Sequence, residues 1–389
     1  MTVIIILCLL IILLIILLIK QLNMDKNIIF CIIISILIVL FTINIKTCIP
    51  AALDGCKLWY KAILPTTFPF VIICNLLISY NGIELYSKIL GPLICRPLGL
   101  SKNSSFPIVA SMLCGYPLGA KYSSDIYKMG YIEKNEYERL LNIASNVGPL
   151  FLVGSVGAAL LNNASLGYIM LISNYVSCFI IGLITKKKKD VIQEYHLPSY
   201  KNTTSNFGTA IKSAVENAIN TVLTIGGFIV IFSVIISLIK KSQYISFIFN
   251  YLGNIINCIS QIIYGIFLGS IEITNGCNII SNLPVSIPLK ISIISFLCSF
   301  SGLAIIAQVS SFVSETNIHY SKYIFFKLIQ GILSFFITYG LTLAIPSSVY
   351  TSSIHVTLLN SYLSILPAIL LLVLTFTCNL IYRLFFHVS

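Results

Sequence analysis

Cys114-Gly115-Tyr116-Pro117-Leu118-Gly119-Ala120-Lys121 is the stretch whose reading decides the fold. An apolar run, Phe106 to Leu113, leads into it as though opening a membrane crossing. Two glycines, a proline and a lysine then follow within seven residues. A continuous transmembrane helix does not end this way. Backbone freed by Gly and Pro at membrane depth must be buried in protein or line a cavity, because lipid offers it no hydrogen bonds. The stretch is read as the tip of a broken or re-entrant helix at a solute-binding site.

The rest of the chain sets that tip in a membrane. Of 389 residues, 57% are hydrophobic and only 9% charged, with a mean hydropathy of +0.97. A soluble domain carries about 25% charged residues, so this is a polytopic membrane protein. The net charge of +12 does not indicate nucleic-acid binding, because the lysines stand between apolar runs. Basic residues beside spans mark orientation instead. The 12 cysteines form no CxxC pair, and most, Cys31, Cys74, Cys178, Cys298 and Cys378 among them, fall inside apolar runs, where Cys acts as a small hydrophobe. The four histidines form no HExxH or similar pair. No metal or cofactor set and no nucleophile–base pair is legible, so an enzyme is the least favoured class.

Taken in order, Met1 to Ile19 reads as a retained span without a cleavage site, and Ile28 to Ile45 as a second. Thr47 to Lys61, with Asp54, Trp59 and Tyr60, fits an interfacial helix, and Leu64 to Tyr80 the next span. After the broken stretch, Tyr122 to Arg139 is the most charged part of the chain and is expected in water. Leu140 to Leu161 crosses but carries Asn142, Ser145, Asn146, Gly148 and Pro149; Pro149 removes a donor and predicts a discontinuous helix. Gly167 to Thr185 stops at Lys186 to Lys189, the strongest cue to a cytoplasmic side. Asp190 to Asn206 is a polar linker. Phe207 to Thr224 is amphipathic, Val222 to Ile239 spans, and Tyr251 to Leu268 runs apolar until Gly269-Ser270-Ile271-Glu272-Ile273-Thr274-Asn275-Gly276 interrupts it. Leu289 to Val309 crosses with Ser299, Ser301, Gly302 and Gln308 near its middle; Lys322 to Ile345 and Leu363 to Tyr382 complete the set.

The two halves follow one plan: amphipathic helix, span, interrupted hairpin, polar-centred span, plain span. Cys114–Ala120 aligns with Ile271–Cys277, and Ala144–Pro149 with Cys298–Leu303. With Lys186 to Lys189 inside, the first hairpin enters from inside and the second from outside. Lys46, Lys57, Lys61, Lys240 and Lys241 fall outside and count against this orientation. Inverted repeats with paired broken segments are the pattern of secondary transporters, with substrate near the midplane. The expected fold is all-α, with about nine transmembrane helices plus two re-entrant hairpins in an inverted-repeat, transporter-like architecture.

Phe106-Pro107, Cys114 to Lys121, Ala144-Ser145-Asn146, Ile271 to Gly276, and Phe300-Ser301-Gly302 with Gln308 together resemble the YlbJ-type sporulation integral membrane proteins. The resemblance runs from about Lys46 to Ile345. It implies nucleoside-recognition Gate domains, distantly similar to concentrative nucleoside transporters, and a role in the outer membrane around the forespore. It also implies transport of dipicolinic acid. The expected division is then an N-terminal transmembrane hairpin (1–45), a first Gate-like repeat (46–185), a cytoplasmic-side linker (186–206), a second, inverted Gate-like repeat (207–345) and a C-terminal transmembrane helix (346–389).

Dipicolinate is a planar ring with two carboxylates, and a bare anion is costly to bury. Broken helices offer free backbone N–H groups and the positive end of the helix dipole. The candidate binding residues are Gly115, Tyr116, Pro117, Lys121, Ser145, Asn146, Glu272, Thr274, Asn275, Gly276, Ser299, Ser301 and Gln308. Lys121 would add charge, Tyr116 would stack on the ring, and Asn146, Thr274, Asn275 and Ser299 would bond the carboxylates. Each has a plainer reading: Lys121 snorkelling to the interface, Tyr116 packing, glycines permitting close helix contact, Asn146 capping a helix end. Glu272 is an ionisable group in an apolar setting and fits a coupling proton; its plainer readings are a pair with Lys290 or a helix cap. The expected partners are a small anionic solute and the lipid bilayer, with a homo-oligomer left open. A neutral nucleoside as substrate and a non-transporting sporulation scaffold are the competing functions.

Overall fold

The computed structural model describes residues 26–186 and 206–344, apart from several positions within 244–256 and 315–319, together with 369 and 373. The expected spans Met1 to Ile19 and Leu363 to Tyr382, and linker residues 187–205, lie outside these (369 and 373 excepted). Every regular element among the described residues is helical.

Two helical stretches of 35 residues each, Ile45–Ser79 and Phe207–Lys241, replace the expected pairs of interfacial helix and separate span. The first joins α2 (Ile45–Leu58) to α3 (Leu64–Ser79) through one wide turn, Trp59–Ile63, after α1 (Lys26–Ile43). That turn precedes Pro65, whose missing N–H disturbs the regular bonding pattern and is absorbed by local widening. The second stretch is α10, the tenth α-helix among the described residues. At about 1.5 Å per residue each is roughly 52 Å long, more than the hydrocarbon requires.

The two long stretches pack antiparallel, as their contacts show. Gly55 lies against Ser233 and Val230, Trp59 Nε1 donates to Val222 O at 3.0 Å, and Asn75 Nδ2 donates to Ala214 O at 3.2 Å. Partner numbers fall as residue numbers rise. Gly226 admits the indole, since a Cβ there would sit 2.8 Å from Trp59 Nε1. Trp59 is therefore a helix-packing residue as well as a half-exposed aromatic; Tyr60 beside it stays exposed.

Two short helices, α4 (Gly82–Ile89) and α5 (Gly91–Leu98), lead to the first hairpin, α6 (Ser105–Cys114) and α7 (Leu118–Lys128). The second hairpin is α11 (Asn257–Ile271) and α12 (Ile273–Ser281). Small residues bring each pair of arms together: a Cβ on Gly119 would meet Ser111 Cβ at 2.4 Å, and one on Gly276 would meet Gly269 Cα at 2.3 Å.

Each hairpin is backed by a broken helix. α8 (Lys134–Ile143) ends in an irregular stretch, 144–149, before the wide-turned helix Leu150–Leu160. α13 (Ile287–Phe300) and α14 (Gly302–Val313) are separated at Ser301 and Gly302, with φ of 80° and 68°. α9 (Ala164–Ile184) and α15 (Tyr320–Ala344) pack against α13 to close the interior. Five stretches among the described residues are long and apolar enough to cross a membrane: Ile45–Ser79, Ala164–Ile184, Phe207–Lys241, Ile287–Val313 and Tyr320–Ala344.

The charged segment Tyr122 to Arg139 is largely helical, in α7 and α8, with part of it packed inside the protein. Tyr122 and Tyr137 are fully buried, and Arg139 donates to Leu98 O at 2.7 Å and Gly99 O at 3.0 Å. The guanidinium thereby satisfies carbonyls at the α5 C-terminus, where the helix dipole favours a cation.

Candidate functional site

A cavity of about 270 Å³ lies where the hairpins approach the long helices. Its walls include Gly115, Tyr116 and Pro117 from the first tip, Val147 and Gly148 from the first break, and Phe151 from the helix that follows it. Glu272, Thr274 and Asn275 come from the second tip, Ala304 and Gln308 from α14. Thr66, Thr67, Ile225, Phe232 and Ser233 close it from α3 and α10.

Gly115 shapes the first tip. Its φ of 87° suits glycine, and a Cβ there would stand 2.6 Å from Gly148 N. The tip therefore rests directly on the irregular backbone of the first break. Tyr116 reaches across to the second half, where its hydroxyl donates to Cys298 O at 3.4 Å.

Glu272 shapes the second. It is the N-cap of α12, accepting from Thr274 N and Asn275 N at 2.9 Å each and from Asn275 Nδ2 at 2.7 Å. A carboxylate at this end answers the free N–H groups and the positive pole of the helix. Lys240, at the end of α10, donates to Asn275 Oδ1. A chain Lys240–Asn275–Glu272 thus runs along one edge of the cavity. Lys290 instead donates to Ser281 O at 2.8 Å.

The predicted residues divide into two groups. Gly115, Tyr116, Pro117, Glu272, Thr274, Asn275 and Gln308 line the cavity. Lys121, Ser145, Asn146, Gly276, Ser299 and Ser301 do not line it. Lys121 turns away to Asp125, 2.7 Å distant, and lies 4.7 Å above the Tyr122 ring. Gly276 packs on Gly269. Ser145, Asn146, Ser299 and Ser301 are fully buried.

Three of those four belong to a polar network behind the cavity. Ser145 Oγ and Tyr323 OH share a hydrogen bond of 2.7 Å. Asn146 N donates to Ser111 Oγ at 2.9 Å, its Nδ2 donates to Ile143 O at 2.6 Å, and its Oδ1 accepts from Gln330 Nε2 at 3.0 Å. Ser299 Oγ accepts from Asn174 Nδ2 at 2.8 Å. Lys327 donates to Ser145 O and to Gln330 Oε1.

Sequence reasoning passed over Lys240, Phe151, Phe232 and the network residues Asn174, Tyr323, Lys327 and Gln330. Lys327 carried a usable signal. It is a charge inside an apolar span, the same cue that singled out Glu272, and Lys327, Gln330, Ser334 and Thr338 recur at helical spacing on one buried face.

Among curated proteins, the chain is similar to the sporulation integral membrane protein YlbJ of Bacillus subtilis (strain 168). They share 28% identity over 304 residues, 72% of this chain and 74% of the relative. This similarity agrees with the resemblance to YlbJ-type sporulation membrane proteins carried by the sequence motifs. No family profile matches the chain, and no solved structure does. The relative's name and the apolar helices agree: this chain is an integral membrane protein.

Proposed function

We propose that the chain is a sporulation membrane carrier for a small planar solute, with dipicolinic acid as the first candidate. One observation carries the reading: two interrupted hairpins, one from each half of the chain, converge on a single cavity of about 270 Å³. Paired broken segments around one cavity are how carriers hold a solute and expose it alternately. The proposal includes the inverted arrangement of the halves, the re-entrant placement of both hairpins, and residence in the outer forespore membrane.

Aromatic rings at Tyr116, Phe151 and Phe232 suit a flat substrate, and Thr66, Thr67, Ser155 and Gln308 supply hydrogen bonds. Lys240, through Asn275, is the cation nearest in the bonding chain to the second tip, and would attract a carboxylate. In this reading an incoming carboxylate competes with Glu272 for the α12 N–H groups.

A neutral solute such as a nucleoside is the second reading. Glu272 is the sole charged side chain among the described residues lining the cavity, and an acidic wall disfavours a dianion. Uptake of labelled dipicolinate into proteoliposomes, with nucleosides as competitors, decides between them. Saturable uptake unaffected by nucleosides supports the dianion. Nucleoside uptake without dipicolinate uptake supports the neutral solute, and no uptake of either by correctly inserted protein overturns the carrier.

A further inference from the structure

The first helix break leaves Ser145 O in the protein interior without a helical donor. In a continuous helix Ser145 O would accept from the N–H of residue 149, and proline has none. Ser145 is fully buried two residues beyond the end of α8, near the negative pole of that helix, which attracts positive charge. Lys327 answers it, donating from α15 to Ser145 O.

The surroundings of Lys327 are unusual for a buried ammonium. The residue is 0% exposed. Its hydrogen-bond acceptors are Ser145 O and Gln330 Oε1, both neutral. The ionisable groups facing it are the Cys178 thiol of α9, which donates to Ile143 O, and Tyr323 one turn away, bound to Ser145 Oγ. Glu138 of α8 pairs with Lys322 at 3.6 Å instead. One further acceptor of the same network, Asn174 Oδ1, is buried and has no hydrogen-bond partner. Neutral oxygens around a cation, one of them a carbonyl freed by a helix break, form the kind of ligand set that holds an alkali ion in carriers with broken helices.

We propose that Lys327 is a tethered cation, occupying a monovalent-ion site at the first helix break so that the chain needs no bound sodium there. The carrier reading enters only the transport consequence, which is uptake independent of sodium. The binding claim stands apart from it and is tested apart from it.

The test is the thermal midpoint of the full chain in detergent, in NaCl, KCl and choline chloride at equal ionic strength. Wild type is expected to show one midpoint in all three. Lys327→Ala, which opens space for an ion and water, is expected to fall in choline and regain about 2–4 °C in sodium or potassium. Lys327→Met fills the same space with apolar atoms and is expected to fall without recovery. If Lys327→Ala does not fold, Lys327→Ser takes its place. A sodium-specific rise in the wild type overturns the proposal, and so does equal salt response of the Ala (or Ser) and Met variants. Absence of uptake by the wild type, with the expected salt pattern intact, would count against the carrier reading alone.

Discussion

Gly115 and Gly148 meet backbone to backbone: a Cβ on the first would lie 2.6 Å from the amide nitrogen of the second. The first hairpin tip and the first helix break are consequently one rigid corner of the cavity. Neither glycine is there merely for flexibility. Gly115 needs both its positive φ of 87° and its missing side chain.

Gly115→Ala should therefore damage the site more than an ordinary glycine substitution would. The left-handed region costs a non-glycine residue about 1 kcal/mol or more, and the clash with Gly148 adds to it. The expected outcome is a lowered thermal midpoint and loss of most solute uptake. Gly130→Ala is the control: its φ is also positive, at 77°, but nothing lies within 4 Å of a Cβ there. It should leave uptake near wild type.

Glu272→Gln tests the α12 cap. A glutamine keeps the shape but replaces one carboxylate oxygen with a donor, which then faces either Thr274 N or the N and Nδ2 donors of Asn275. The loss should be about 0.5–2 kcal/mol, the range for helix-cap removal, read as a fall in thermal midpoint. If Glu272 also carries a coupling proton, the pH dependence of uptake flattens in the same variant. An unchanged pH profile would leave it a cap alone.

Lys240→Gln separates the two substrate readings. The lysine is exposed and acts through Asn275, so its loss should raise KM for dipicolinate by roughly two- to fivefold, as for an exposed charge interaction of up to about 1 kcal/mol. KM for a neutral nucleoside should not move. Added salt should shrink the difference.

Lys121→Met should behave differently. Its partner is Asp125 at 2.7 Å, and it does not line the cavity. Stability should fall while the KM of any transported solute stays at the wild-type value. A change in KM with an unchanged midpoint would restore Lys121 to the binding site.

The Pro149 break illustrates how far reading residues can go. Proline's missing donor predicts a discontinuous helix, and the helix is broken between Ile143 and Leu150. Composition and the apolar runs likewise establish a helical membrane protein, and the glycine and proline positions locate both hairpin tips and both breaks. These are local properties. They depend on which backbone groups a residue type can offer, and no distant contact alters that.

What the tertiary structure decided is which side chains share a space. Lys121 and Asn146 sit close in sequence to the Gly115 tip and the Gly148 break, yet one turns to Asp125 and the other is sealed behind the cavity by Gln330. Lys240 and Lys327 are far from either tip in sequence, yet they reach Asn275 and Ser145 through helix packing. Side-chain direction on a helix turns by about 100° per residue, so a small difference in how two helices meet sends a residue into the cavity or away from it. That choice belongs to packing across the whole molecule, and no local stretch of sequence contains it.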